Sequence, residues 1–132
     1  MKASIPFHQA VFKTLRLFVV TVLIENKGRS LYIPMIVDSG ASFVTVRPDV
    51  FGQLEIFPLR QAPVVTASGR TAAPLGRAAK IAVGSHCVAE EVEIIAIPLP
   101  QTLPAEGLLG TSFLRYFPVY QDFEKGILEL GA

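Results

Sequence analysis

The apolar residues of this chain fall into short runs that are separated by turn-forming residues. Residues 15–24 and 31–37 are rich in branched apolar side chains, and the polar, Gly-containing cluster at 26–29 lies between them. Two such runs around a Gly-containing turn predict a β-hairpin. Pro34 lies inside the second run and lacks a backbone donor, so it indicates an edge or a bulge there.

The same pattern continues through the rest of the chain. Residues 62–68 and 75–83 flank a stretch with Gly69 and Pro74, which predicts a second hairpin with a longer tip at 69–74. Further strands are predicted at 43–46, 87–97, 119–123 and 127–130. Because turn signals separate nearly all of these runs, the pattern is typical of an all-β domain.

One segment departs from the β pattern. Residues 111–117 follow a glycine, begin with Thr111 and Ser112, and end before Pro118. Hydroxyl side chains bind the free amides at the start of a helix, and a following proline stops its continuation, so one short helix of about two turns is predicted here. Residues 49–60 fit either a loop or a short helix.

Composition and charge narrow the classes of protein. The chain has 132 residues, 51% of them hydrophobic and 17% charged, with a net charge of +1, which excludes a disordered chain and a nucleic-acid binder with a broad basic face. Cys87 is the one cysteine, so no intrachain disulfide and no structural zinc cluster are expected, and a cytoplasmic location is compatible. The apolar run at 14–24 is too short and too interrupted to span a membrane.

Asp38 is the main candidate for chemistry. It closes the apolar run at 33–37 and is followed by Ser39 and Gly40, which places a carboxylate at the edge of a core beside a tight turn. Asp49 and Asp122, the other two aspartates, have no such context and are expected to be solvated or to cap turns. When the tripeptide is taken alone, an ordinary Asx turn is the better explanation of Asp-Ser-Gly.

Three segments together resemble the retropepsin-like aspartic proteases, the single-lobed relatives of pepsin. They are IVDSGASFVTV at 36–46, VVTASGR at 64–70 and GLLGTSFLRYF at 107–117. QDFEKGILEL at 121–130 is similar to the closing hairpin of the bacterial members. The resemblance implies a closed β-barrel, the acid-protease lobe, with a flap hairpin and one short C-terminal helix over residues 15–132. Residues 1–14 have no counterpart and are expected to form an arm, at an interface or frayed.

The resemblance also implies roles for individual residues. Asp38 takes the place of the catalytic aspartate, and Ser39 stands where the family more often has threonine. The expected active-site loop consists of Ser39, Gly40, Ala41 and Ser42. The expected flap residues are Ala67, Ser68 and Gly69, and the expected supporting residues are Leu108, Leu109 and Gly110.

The implied activity is that of an aspartic endopeptidase. This chemistry needs two carboxylates, one to take a proton from water and one to donate a proton to the scissile carbonyl. The chain has one Asp-Ser-Gly, at Asp38, so a homodimer with an extended polypeptide substrate is expected. No cofactor, metal, nucleic acid or membrane partner is expected. The alternative is a catalytically silent dimerisation or peptide-binding module of the same fold.

Overall fold

The computed structural model describes residues 3–15, 17–66, 69–85 and 87–131, and strands dominate it. Its strands are β1 Ala3–Pro6, β2 Val19–Asn26, β3 Arg29–Val37, β4 Val44–Val46, β5 Arg60–Thr66, β6 Gly69–Val83, β7 Cys87–Ala96, β8 Gly107–Leu109, β9 Val119–Asp122 and β10 Ile127–Leu130. Its helices are α1 Gln9–Leu15, α2 Pro48–Gln53 and α3 Thr111–Leu114.

Six strands close into a barrel, which confirms the predicted all-β barrel. The order is β2-β3-β8-β4-β7-β6, and the additional pairing of β2 with β6 closes the ring. The β3–β8 and β4–β7 pairs are parallel, whereas the neighbouring pairs are antiparallel. Apolar side chains alternate inward along the long strands and fill the interior, among them the fully buried Ile24, Met35 and Ile94.

A second sheet, with strand order β1-β10-β9, lies outside the barrel. Ala3 pairs with Leu130 and Pro6 with Ile127, so the chain's first described residues join its closing hairpin. The predicted hairpin at 119–123 and 127–130 is present as β9 and β10. Whether the N-terminal segment also contacts a second copy stays a prediction.

The predicted short helix near the C-terminus is present as α3, and the described residues contain two further short helices, α1 and α2. Helix α2 begins at Pro48, whose fixed φ suits the first helical turn, and this settles the segment 49–60, left open above, in favour of a short helix at its start. Helix α1 has only seven residues, too few for a clear helical period. Helix α3 is shorter than predicted and ends at Leu114. In the described part of the chain, no helix has the length and apolarity that a membrane crossing requires.

The predicted tip of the second hairpin at 69–74 is wrong. These residues belong to β6, which pairs with β5 from Thr66↔Gly69 to Arg60↔Leu75. Pro74 lies in a part of β6 that pairs with β5 alone. A proline nitrogen can face the unpaired side of such a strand, so a proline is compatible with the strand at this position.

Candidate active site

The Asp38 segment lies where two parallel strands end together. Strand β3 ends at Val37, and Val37 pairs with Leu109 at the end of β8. The Asp38 amide then donates to the Leu109 carbonyl over 3.1 Å. Because both strands run in one direction, residues that are 71 positions apart in the sequence, Asp38 and Leu109, meet at one end of the barrel.

The Asp38 carboxylate is half-buried and forms an Asx turn. Its Oδ1 accepts a hydrogen bond from the Gly40 amide at 2.9 Å, and its carbonyl accepts the Ala41 amide at 3.2 Å. Among the described residues, none donates to Oδ2. The turn therefore orients the carboxylate with one oxygen and leaves the other available.

The start of α3 holds the loop that follows Asp38. The Thr111 amide donates to the Ala41 carbonyl at 2.8 Å, and the Ser112 amide donates to the Ser42 carbonyl at 3.1 Å. The Thr111 hydroxyl adds a third bond, to the Ser42 carbonyl at 3.2 Å. Free amides at the start of a helix are thus satisfied by loop carbonyls, which fixes the loop against the helix.

The Ser112 side chain connects the start of α3, which holds the Asp38 loop, to the barrel. Its side chain is buried, accepts the Val44 amide at 2.8 Å and donates to the Glu93 carbonyl at 2.7 Å. One hydroxyl therefore connects the first residue of β4 to β7. Because β4 follows the Asp38 loop directly, this bond fixes the downstream end of the loop.

An open groove of about 480 Å³ lies beside Asp38. Its lining residues are Asp38, Gly40, Ala41, Ser42, Phe43, Thr45, Pro63, Val64, Val65, Ile95, Ile97, Leu99 and Leu108. Val64 of β5 packs with Phe43 and Ile97 on a small cluster outside the barrel that contains Ile95. The β5–β6 hairpin therefore borders a mostly apolar groove, and Asp38 is the one ionisable side chain among the described residues that line it.

The residues predicted from sequence fall into three groups. Asp38, Gly40, Ala41, Ser42 and Leu108 meet on the groove. Leu109 and Gly110 are buried behind the loop, and Ser39 is exposed and does not line the groove. Ala67 and Ser68 lie outside the described residues, while Gly69 begins β6.

The other aspartates lie elsewhere. Asp122 Oδ1 accepts the amides of Glu124 at 3.1 Å and Lys125 at 2.8 Å, so it caps the turn between β9 and β10. Asp49 is exposed in the first turn of α2. No cluster of three or more potential metal ligands occurs among the described residues.

Sequence reasoning missed most of the groove wall. Ile95, Ile97 and Leu99 line the groove but appeared in the sequence only as part of a strand and a proline-rich loop. Alternation along β7 gives a usable signal, because Ile94 faces the barrel interior while Ile95 packs in the outer cluster.

Comparison with known proteins agrees with this geometry. Residues 20–113 match a family model described as aspartyl protease. A similar solved structure is a retropepsin-like aspartic protease from Rickettsia conorii, with 20% identity over 98% of this chain and 89% of that one, and a TM-score of 0.66. At this identity the likeness shows the fold alone. No curated protein gives a significant match.

Proposed function

This chain belongs to the aspartyl protease family, and from that premise we propose that it is an aspartic endopeptidase that uses Asp38 to activate water. One observation carries the proposal. A half-buried carboxylate, fixed through one oxygen by the Gly40 amide, stands on a mostly apolar groove, and no other described residue that lines this groove is ionisable.

The reaction requires a second carboxylate. In the proposed step, an ionised carboxylate takes a proton from water while the water oxygen attacks the scissile carbonyl carbon. A protonated carboxyl donates its proton to the carbonyl oxygen, which gives a tetrahedral diol. The diol then collapses and the C–N bond breaks. The carboxyl that took the proton of water gives it to the leaving nitrogen, and the other carboxylate takes a proton from a diol hydroxyl, which restores the starting pair. Two adjacent carboxylates cannot both ionise, so such a pair holds one shared proton.

A homodimer would supply the second carboxylate from Asp38 of the partner subunit. Apolar surface near Asp38 supports this part of the proposal. The Phe18 carbonyl accepts the Val37 amide at 2.8 Å, and the Phe123 ring packs on Phe18 with 4.7 Å between ring centroids. Phe123 is 59% exposed, so its ring leaves apolar surface uncovered beside Phe18. In this proposal that surface lies at the dimer interface, and a two-fold axis through this end of the barrel would pair the two carboxylates.

The proposed substrate is a polypeptide in an extended conformation. Strand β5 pairs with β6 on one side and is the last strand of its sheet, so its other edge can receive an added strand. In this proposal the β5–β6 hairpin is the flap, and Ala67, Ser68 and Gly69 are the flap residues predicted from the sequence. The lone Cys87 supports a cytoplasmic location within the same proposal.

A second candidate function is a silent peptide-binding or dimerisation module. The Asx turn favours it, because the hydrogen bond from the Gly40 amide to Asp38 gives this carboxylate a structural reason to be present. The two candidate functions therefore differ in what they require of Asp38. Cleavage needs its ionisable carboxylate, whereas the silent module needs only the hydrogen bond that holds its turn.

Asp38→Asn separates these roles, since asparagine keeps an oxygen for the Gly40 amide but removes the ionisable group. The assay is cleavage of a peptide library at mildly acidic pH, with the oligomeric state measured by sedimentation. We expect the wild type to be a dimer that cleaves, and Asp38→Asn to lose roughly 10³-fold or more of the rate. Asp49→Asn, an exposed aspartate on α2, is the matched control and should cleave normally.

Two results would count against the proposal. Cleavage by Asp38→Asn at the wild-type rate would remove Asp38 from the chemistry. A wild-type protein that binds peptides without cutting them would favour the silent module instead.

A further inference from the structure

One wall of the groove is a loop that makes little secondary structure of its own. Residues 98–106 form all but the first residue of the connection from β7 to β8, and Leu99 of this loop lines the groove. Pro98, Pro100 and Pro104 have no backbone donor, so the loop cannot build a regular ladder. Its internal bond runs from the Leu103 amide to the Pro100 carbonyl at 3.1 Å.

Arg47 holds this loop from outside. It follows β4 directly, and its half-buried guanidinium donates from Nη1 to the Leu99 carbonyl at 2.6 Å. Nη2 donates to the carbonyls of Pro100 and Ala105, both at 3.3 Å. One side chain therefore binds both ends of the loop, six residues apart in sequence, and closes it.

The chemistry of this contact is specific to arginine. A guanidinium is a rigid planar fork with five N–H donors, which suits several carbonyls that converge on one plane. A lysine ammonium is a compact charge on a flexible stem and cannot span the same three acceptors. The ion pairs of the described chain, Arg29–Glu55 and Lys80–Glu25, lie elsewhere, so the described partners of Arg47 are these loop carbonyls.

We propose that Arg47 is a positioning residue that clamps the 98–106 loop, so that Leu99 forms a fixed groove wall and selects a large apolar side chain in the substrate. This inference rests on the proposed function for its substrate. Arg47 does not line the groove, and its nearest link to the substrate space is the backbone of Leu99. It therefore acts on selectivity through Leu99 and leaves the Asp38 chemistry unaltered.

The first measurement is a selectivity ratio. Leu99→Ala defines the substrate position that contacts the wall, as the position whose preference changes most in a peptide library. Two peptides with Leu or Ala at that position then give a ratio of kcat/KM values. We expect Arg47→Met and Leu99→Ala each to lower this ratio about tenfold, mainly through KM, because the apolar contact is lost.

The double variant tests whether the two residues act together. If Arg47 works through Leu99, the double variant lowers the ratio no further than either single variant. Arg47→Lys should lie between Arg47→Met and the wild type. Arg29→Met removes an arginine from the exposed Arg29–Glu55 pair and is the matched control, with an unchanged ratio. An unchanged ratio in folded Arg47→Met, or additive effects in the double variant, would overturn the proposal.

Two readouts do not depend on catalysis. Arg47→Met should lose hydrogen-exchange protection at the amides of Leu103 and Glu106, which now bind the carbonyls of Pro100 and Pro34. The ratio of Kd values for the two peptides, measured on the Asp38→Asn background, should fall as the kcat/KM ratio does. If the wild type binds these peptides without cleaving them, the endopeptidase proposal fails while the Kd ratio still decides the clamp. Unchanged hydrogen-exchange protection together with an unchanged Kd ratio would refute the proposal that Arg47 clamps the 98–106 loop.

Discussion

Gly110 offers the sharpest test of how the Asp38 loop is held. It lies buried between β8 and α3, and a Cβ added there would meet the Phe43 carbonyl oxygen at 2.3 Å and the Ala41 carbonyl oxygen at 2.7 Å. Both contacts are with backbone atoms, so no side-chain rotation relieves them. Gly110→Ala must therefore push the Asp38 loop away from α3.

The expected loss in the free energy of unfolding follows from the contacts that this displacement breaks. Overpacking a close contact costs roughly 1–3 kcal/mol. The bonds at risk are Thr111 amide to Ala41 carbonyl, at 2.8 Å, and Ser112 amide to Ser42 carbonyl, at 3.1 Å. A loss of about 2 kcal/mol lowers Tm by about 5–10 °C in a domain of this size. A shift of about 1 Å at a reacting group lowers the rate about 100-fold, so activity should fall more than stability does.

Gly52→Ala is the matched control, because Gly52 lies in the exposed face of α2 and an added Cβ meets nothing within 4 Å. Alanine is the better helix former by up to about 1 kcal/mol, so this variant should keep or raise Tm and cleave normally. Thermal unfolding and peptide cleavage are measured at one protein concentration, because dimer formation shifts Tm. Gly110→Ala with wild-type Tm and wild-type cleavage would refute the close fit of the loop against α3.

Two further predictions concern buried groups away from the groove. Ser112→Ala leaves the Val44 amide and the Glu93 carbonyl without their partner, so unfolding in urea should show a loss of about 2–4 kcal/mol; an unchanged midpoint would contradict the bridge. Burial raises the pKa of the Cys87 thiol, which disfavours the thiolate at pH 8. Iodoacetamide should therefore label the folded protein far more slowly than the urea-unfolded protein, and equal rates would show that Cys87 is accessible.

The features that could be predicted from sequence are those that depend on neighbouring residues. The hairpin of β2 and β3 has branched apolar runs around Lys27 and Gly28, both with positive φ in the structure, and this turn fixes its register locally. The turn chemistry of Asp38 and Gly40 is likewise local. Such signals place Asp38 at a strand end without any knowledge of the barrel.

The features that could not be predicted depend on pairings between distant segments. Strand β8 has three residues, and its Gly-Leu-Leu carries no alternation that would identify a strand. It becomes one because β3 and β4 bind it from both sides. The contacts of Arg47 with Leu99 and Ala105 span more than fifty residues, and an arginine before a proline gives no sign of them.

Part of what the proposed chemistry requires of Asp38 is met within one chain, and part needs a second chain. Its orientation depends on contacts within the chain: the Gly40 amide, the Leu109 carbonyl and the loop bonds to α3. Each of these is formed by a residue near the barrel end where β3 and β8 meet, so folding alone preorganises the carboxylate. Among the described residues, the lining of the groove contains no second carboxylate, so under the proposed function the proton donor comes from a second chain. In the proposed homodimer, folding of one chain therefore prepares half of the site, and the exposed Phe123 beside Phe18 lies where we propose that the partner subunit binds.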